Sequence, residues 1–145
     1  MTTTSSPARR DRESNGRLLP ELNEINEFFW TSGADGKLRF LRCADCAYLI
    51  HPPAPYCPRC QSRDNAPVEV GGRATVHSFT VNHQAWDGVG DTYVIGLVSI
   101  DEQPDVRLTT NIVDVDPDDV HIGMPVEVVF EDRAPVFLPL FRPAP

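Results

Sequence analysis

Two short stretches decide the fold: Cys43-Ala44-Asp45-Cys46 and, after ten intervening residues, Cys57-Pro58-Arg59-Cys60. Each Cys-x-x-Cys pair puts two sulfurs on one tight turn. Two such turns facing each other supply four thiolates at about 2.3 Å from one Zn²⁺, the closed tetrahedral set of a structural zinc site. A catalytic zinc keeps one position open, and four cysteines leave none. A thioredoxin-like redox pair explains one Cys-x-x-Cys but not two, and no βαβ pattern surrounds either. Two disulfides would require an oxidising compartment, and no secretory signal is evident.

The flanks suit two metal-binding knuckles. Residues 37–42 read as a strand entering the first turn and Tyr48-Leu49-Ile50 as a strand leaving it. Pro52, Pro53, Pro55 and Pro58 stiffen the approach to the second turn, because proline fixes φ. This ribbon offers little hydrophobic core, so metal binding should supply much of its folding energy.

The chain has 145 residues, 41% of them hydrophobic, and a formal net charge of −8. Residues 1–19 carry Arg9, Arg10, Arg12 and Arg17 against Asp11 and Glu13, and almost nothing apolar. They read as a disordered tail. The remainder has 9 basic and 19 acidic residues. Nucleic-acid binding rests on Lys/Arg neutralising phosphates, and this body repels a polyanion. No apolar run approaches the ~20 residues of a membrane span. Reduced, metal-bound cysteines suggest the cytoplasm.

Within residues 20–30, Leu22, Ile25, Phe28 and Phe29 recur at helical spacing, with Glu21, Glu24 and Glu27 between them and Gly33 and Gly36 as stops. The aromatic end, Phe28-Phe29-Trp30, either packs on the domain behind it or forms a docking surface for another protein. After residue 67 the pattern turns to strands: RATVHSFTVN (73–82), TYVIGLVSI (92–100), VRLTTNIV (106–113), VEVVFE (126–131) and VFLPLF (136–141). In the first of these, Thr75, His77, Phe79 and Val81 share one face and Ala74, Val76, Ser78 and Thr80 the other. Pro139 marks the last strand as an edge. Asp116 followed by Pro117 starts a helical turn before the fourth strand. Five strands with one helical interruption before the fourth suggest a small closed barrel of OB-fold type, with a sandwich as the alternative.

No Gly-x-Ser-x-Gly elbow, Walker loop or His-Glu-x-x-His occurs. His77 reads as a half-buried strand residue. The loop 83–92 carries Trp86 beside Gly88 and Gly90, so Trp86 is a candidate ligand or partner contact, or a plug for the barrel end. His83 with Asp87 or Asp91 is the one candidate acid/base pair.

Several blocks together carry a resemblance. They are Phe28-Phe29-Trp30, then LRFLRCADC (38–46) and PPAPYCPRC (52–60), then GRATVHSFTV (72–81), GMPVEV (123–128) and Phe141-Arg142-Pro143. Over residues 20–143 the chain resembles the acyl-CoA-associated zinc-ribbon/OB-fold family known as domain of unknown function thirty-five. Members commonly carry Pro-Arg before the second cysteine pair, where this chain has Pro53-Ala54-Pro55. The resemblance implies a mainly β fold. A tail (1–19) and a short N-terminal helix (20–36) precede a rubredoxin-like zinc ribbon (37–66) and a five-stranded OB-fold barrel (67–145).

It also implies an accessory subunit with one structural Zn²⁺ on Cys43, Cys46, Cys57 and Cys60. Relatives pair with thiolase-fold enzymes: an acetoacetyl-CoA thiolase with hydroxymethylglutaryl-CoA synthase, or thiolase-like aldolases of steroid side-chain breakdown. There the domain binds its partner or helps shape an acyl-CoA channel. Phe28, Phe29, Trp30 and Trp86 are the candidate contacts. Two other readings compete. One is an OB-fold binder of single-stranded nucleic acid, which needs a basic groove with stacking aromatics. The other is a small acyl-CoA hydrolase using His83.

Overall fold

The computed structural model describes residues 18–84 and 92–145. A turn leads into helix α1 (Glu27–Thr31) and a 3-10 turn (Ser32–Asp35). Eight strands follow: β1 (Leu38–Cys43), β2 (Leu49–Ile50), β3 (Asn65–Val70), β4 (Arg73–Asn82), β5 (Tyr93–Ile100), β6 (Arg107–Ile112), β7 (Pro125–Arg133) and β8 (Val136–Pro143). A second 3-10 turn, Pro117–Asp119, lies between β6 and β7. Strands β2-β1-β3 form an antiparallel sheet, and β4-β5-β6-β8-β7 close into a five-stranded barrel. The Asp116 side chain caps the second turn by accepting from the Asp118 N–H, as its Asp-Pro start predicts.

The N-terminal helix is shorter than its apolar spacing predicts. Asn23 Oδ1 accepts from the N–H groups of Ile25 and Asn26, both at 2.9 Å, and Asn26 Oδ1 accepts from the Asn23 N–H at 2.8 Å. These side chains take donors that a helix would otherwise use, so regular α structure starts only at Glu27. Gly36, at φ +80°, ends the 3-10 turn in a left-handed cap.

Strand β3 has no counterpart among the expected strands. Asn65 and Pro67 obscure its pattern, yet it pairs with β1 along its whole length, from Leu38↔Val70 to Cys43↔Asn65. The ribbon sheet therefore runs to Val70, past the expected boundary at residue 66. Gly72 makes the turn into the barrel at φ +78°, and a Cβ there would lie 2.6 Å from Val128. Arg39 ties the sheet to the N-terminal turn. It donates to Asp35 and Glu69, and to the Ser32 carbonyl.

Two expectations for the barrel are corrected. The faces of β4 do not alternate uniformly, because a one-residue bulge falls between Val76 and Ser78. Ala74 and Val76 are buried before it, and Phe79 and Val81 pack on the same core after it. The bulge switches the inward parity and leaves His77 exposed rather than half-buried. Phe79 sits opposite Gly96, and a Cβ on Gly96 would meet Ile112 at 2.7 Å. Strand β8 is not an edge, for it lies between β6 and β7. Its β6 seam is thin, with one registered pair, Ile112↔Phe141. The Pro139 carbonyl faces that seam, accepting from Thr110 Oγ1 at 2.8 Å. Its missing N–H therefore points where few ladder bonds form.

The N-terminal segment grips the β7–β8 hairpin. Leu19, expected in the tail, is buried with Val136 and Leu138, and Leu22, Trp30 and Leu140 pack around them. On the other face of the hairpin, Gly33 lies against Phe130, where a Cβ would come within 2.3 Å of the ring. Gly33→Ala should therefore cost about 1–3 kcal/mol in chemical denaturation, because the ring or the turn must move. Metal content should be unchanged.

Candidate metal centre and neighbouring surfaces

Both cysteine turns are built alike. In the first, the Cys43 N–H donates to Tyr48 O (2.9 Å) and the Ala47 N–H to Cys43 O (2.9 Å). In the second, the Cys57 N–H donates to Ser62 O (2.8 Å) and the Gln61 N–H to Cys57 O (2.9 Å). Ala47 and Gln61, each following the second cysteine of its pair, both adopt φ +63°. A left-handed residue at this place turns the chain back so that the two sulfurs of a pair converge. Ser62 Oγ donates to Asp45 and links one turn to the other.

The four sulfurs lie within 4.8 Å of one another. Across the turns, Cys43 Sγ is 3.5 Å from Cys60 Sγ, and Cys46 Sγ is 3.6 Å from Cys57 Sγ. A tetrahedron with metal–sulfur bonds of about 2.3 Å has edges of about 3.8 Å, so the set fits one ion. Cys43 and Cys57 are buried, while Cys46 and Cys60 reach the surface. The Cys46 N–H and other donors hold the Cys43 thiol down at about 7. At Cys60 the Ser62 N–H acts in the same direction, but the three neighbouring sulfurs and desolvation outweigh it and push the thiol up to about 12. Four thiolates this close need a cation between them, which is what a bound dication supplies.

Around this centre the other candidates separate. Phe29 is buried, with Phe40 at 6.0 Å, His51 at 4.9 Å and Trp30 edge-on at 4.9 Å. It is core, which leaves only the half-buried Phe28 and Trp30 with accessible surface. Trp86 lies outside the described residues, as do Asp87 and Asp91, and His83 is exposed at the end of β4. His51 packs between Phe29 and Phe40, and its Nδ1 is buried without a partner. Burial lowers its pKa to about 4.

Sequence reasoning missed the junction of ribbon and barrel. The hairpin between β5 and β6 reaches back to β2. Gln103 Oε1 accepts from the Leu49 N–H at 2.9 Å, and Gln103 Nε2 donates to Leu49 O at 3.0 Å. Tyr48 donates its hydroxyl to Asp105 at 2.9 Å, while Arg59 sits 5.1 Å over the Tyr48 ring. Nothing in the spacing of these residues marks them, since the hydrogen bonds span more than fifty positions.

A four-cysteine ribbon joined to a closed five-stranded barrel defines a ribbon/OB-fold protein. Among the described residues no catalytic constellation accompanies it. Two family models match in tandem: the ChsH2 rubredoxin-like zinc ribbon domain over residues 30–66 and the ChsH2 C-terminal OB-fold domain over residues 67–131. The chain belongs to this ChsH2 (DUF35) family.

A probable enoyl-CoA hydratase alpha subunit of Thermomonospora curvata is 39% identical over 130 residues, covering 88% of this chain and 40% of that protein. A DUF35 domain-containing scaffold protein of Methanothermobacter thermautotrophicus is 33% identical over 92 residues, covering 61% of this chain and 68% of its own length. The chain thus spans about two fifths of the hydratase alpha subunit. A solved chain described as Ltp2-ChsH2(DUF35) aldolase superposes with TM-score 0.77 at 38% identity, over 87% of this chain and 99% of that one. A DUF35 protein from Sulfolobus solfataricus, at 17% identity and TM-score 0.62, shares the fold.

Two outcomes follow for this centre. Elemental analysis should find one metal ion per chain, lost in Cys57→Ser and released on acidification, since protons compete for thiolates. His51 is held neutral in the fold, at about 4 against an ordinary 6.5. The unfolded chain therefore binds more protons between these values. The stability His51 contributes is present above about pH 6.5 and is lost as pH falls toward 4, by on the order of 3 kcal/mol. In His51→Leu, denaturation midpoints should vary less steeply over this window.

Proposed function

We propose that this chain is a non-catalytic accessory subunit. It binds a thiolase-fold acyl-CoA enzyme, of thiolase or steroid side-chain aldolase type, and helps form that enzyme's acyl-CoA site. The observation that carries this reading is the likeness to the solved aldolase chain, at 38% identity over 99% of that chain. Relatives named scaffold protein and hydratase alpha subunit support it. The Mycobacterium tuberculosis relative, 34% identical, is a 3-oxo-4,17-pregnadiene-20-carboxyl-CoA hydratase alpha subunit, and its name points to steroid degradation.

In this reading Cys43, Cys46, Cys57 and Cys60 hold one structural Zn²⁺. The ion supplies rigidity, not a reacting position, because all four of its sites go to sulfur. Phe28, Trp30 and Trp86 are the contacts offered to partner or ligand. The chain works in the cytoplasm, alongside soluble enzymes of acyl-CoA metabolism. No helix among the described residues is long and apolar enough to cross a membrane.

The barrel's charge opposes the nucleic-acid alternative. Residues 67–145 hold 4 Lys/Arg and 13 Asp/Glu, a field that repels phosphates rather than drawing a strand into a groove. Co-expression with an Ltp2-type aldolase should give a hetero-oligomer that survives size exclusion. The aldolase should need this chain for solubility or activity, and the purified chain alone should turn over no acyl-CoA. An aldolase equally active alone and never bound would overturn the reading.

A further inference from the structure

We propose that Gln103 is a positioning residue that holds the ribbon on the barrel in the orientation a partner enzyme binds. The partner half of this inference rests on the accessory-subunit reading.

Strand β2 is two residues long and pairs with β1 on one side only. The backbone of Leu49 would otherwise end the sheet with an unpaired donor and acceptor. The Gln103 carboxamide has the same donor–acceptor pair as a peptide group, and it meets both Leu49 groups, at 2.9 and 3.0 Å. The hairpin that presents it is held at its base. The Ile100 N–H donates to Val106 O, and the Val106 N–H donates to Gln103 O at 2.9 Å. Val106 is buried in the shared core.

Two further bonds place the same hairpin against the ribbon. Glu102 Oε1 accepts from the Gly71 N–H at 2.9 Å, beside the turn that joins the sheets. Asp105 accepts from Tyr48 at 2.9 Å. Three ribbon–barrel links thus come from one loop, at Glu102, Gln103 and Asp105. Gln103 alone among them satisfies two backbone groups at once. Asp105 and Glu102 are exposed carboxylates, whose single bonds water competes for. Gln103 is half-buried, and the Leu49 side chain beside it is core.

The test uses the full-length, metal-loaded chain. Gln103→Ala removes both bonds. Gln103→Glu keeps the shape and the acceptor but puts a carboxylate oxygen against the Leu49 carbonyl. Amide hydrogen exchange at Leu49 should be about tenfold faster in Gln103→Ala, which loses the acceptor, and less affected in Gln103→Glu, which keeps it. Exchange at Val94 and Val98 in β5 and the metal content should match wild type, which shows that both lobes remain folded. Affinity for a purified Ltp2-type aldolase should fall about tenfold in both.

Unchanged Leu49 exchange in Gln103→Ala would overturn the inference, since Gln103 would then not hold the ribbon. Faster exchange with undiminished affinity would overturn it too, because the partner would not read the orientation. Failure of the wild-type chain to bind any such aldolase would instead sink the accessory-subunit reading, and the exchange data would still decide what Gln103 does.

Discussion

Strand β1 has buried side chains on both faces, and the rest of the molecule is arranged to cover it. Leu38 and Phe40 enter the large core, alongside Phe29 of α1 and Val76, Val98 and Val126 of the barrel. Leu41 and Cys43 enter the small cluster around the metal centre, with Ile50 and Cys57. The period-two alternation of one strand thus feeds two cores. The metal turns begin where the barrel-facing half of the strand ends. A polar residue at Phe40 would lose helix, barrel and ribbon contacts together.

The small cluster explains why the ribbon uses metal. Its fully buried set is four residues, two of them cysteines. So little apolar surface does not offset the entropy of ordering some thirty residues. The tight turns add their own cost, since Ala47 and Gln61 sit at φ +63° where a Cβ is disfavoured. Ligation of one metal ion by the four thiolates, which the sulfur geometry fits, would outweigh both terms. The barrel needs no such aid, because β4 to β8 close on themselves and enclose a core of aliphatic side chains.

How much of this was legible follows from the range of each interaction. The cysteine spacing is local and chemically specific, so the ribbon was readable, as were five barrel strands and the Asp116 cap. The bulge at His77 was not. Apolar residues at 74, 76, 79 and 81 break a strict alternation, and only pairing with β5 shows that one residue is looped out. Strand β3 was missed because its pairing with β1 holds it in place, not its own composition. From sequence, Phe29 read alike with Phe28 and Trp30, as core packing or as docking surface. What buries it is Phe40 and His51, eleven and twenty-two residues away. The Gln103 clasp bridges more than fifty residues with a side chain common on any surface.

The two family models divide the chain between residues 66 and 67, yet the physical boundary is elsewhere. Asn65–Val70 is one strand of the ribbon sheet, and the turn at Gly71 and Gly72 is where the chain passes into the barrel. Even there the lobes are not independent, because Phe40 and Leu49 of the ribbon share a core with Val98 and Phe141 of the barrel. A surface built from both lobes is therefore preformed. Binding to it need not order one lobe against the other, a cost that flexible two-domain binders meet at the moment of association. In the accessory-subunit reading proposed above, fixed geometry is what the chain contributes to a complex, and a preformed surface serves that role directly.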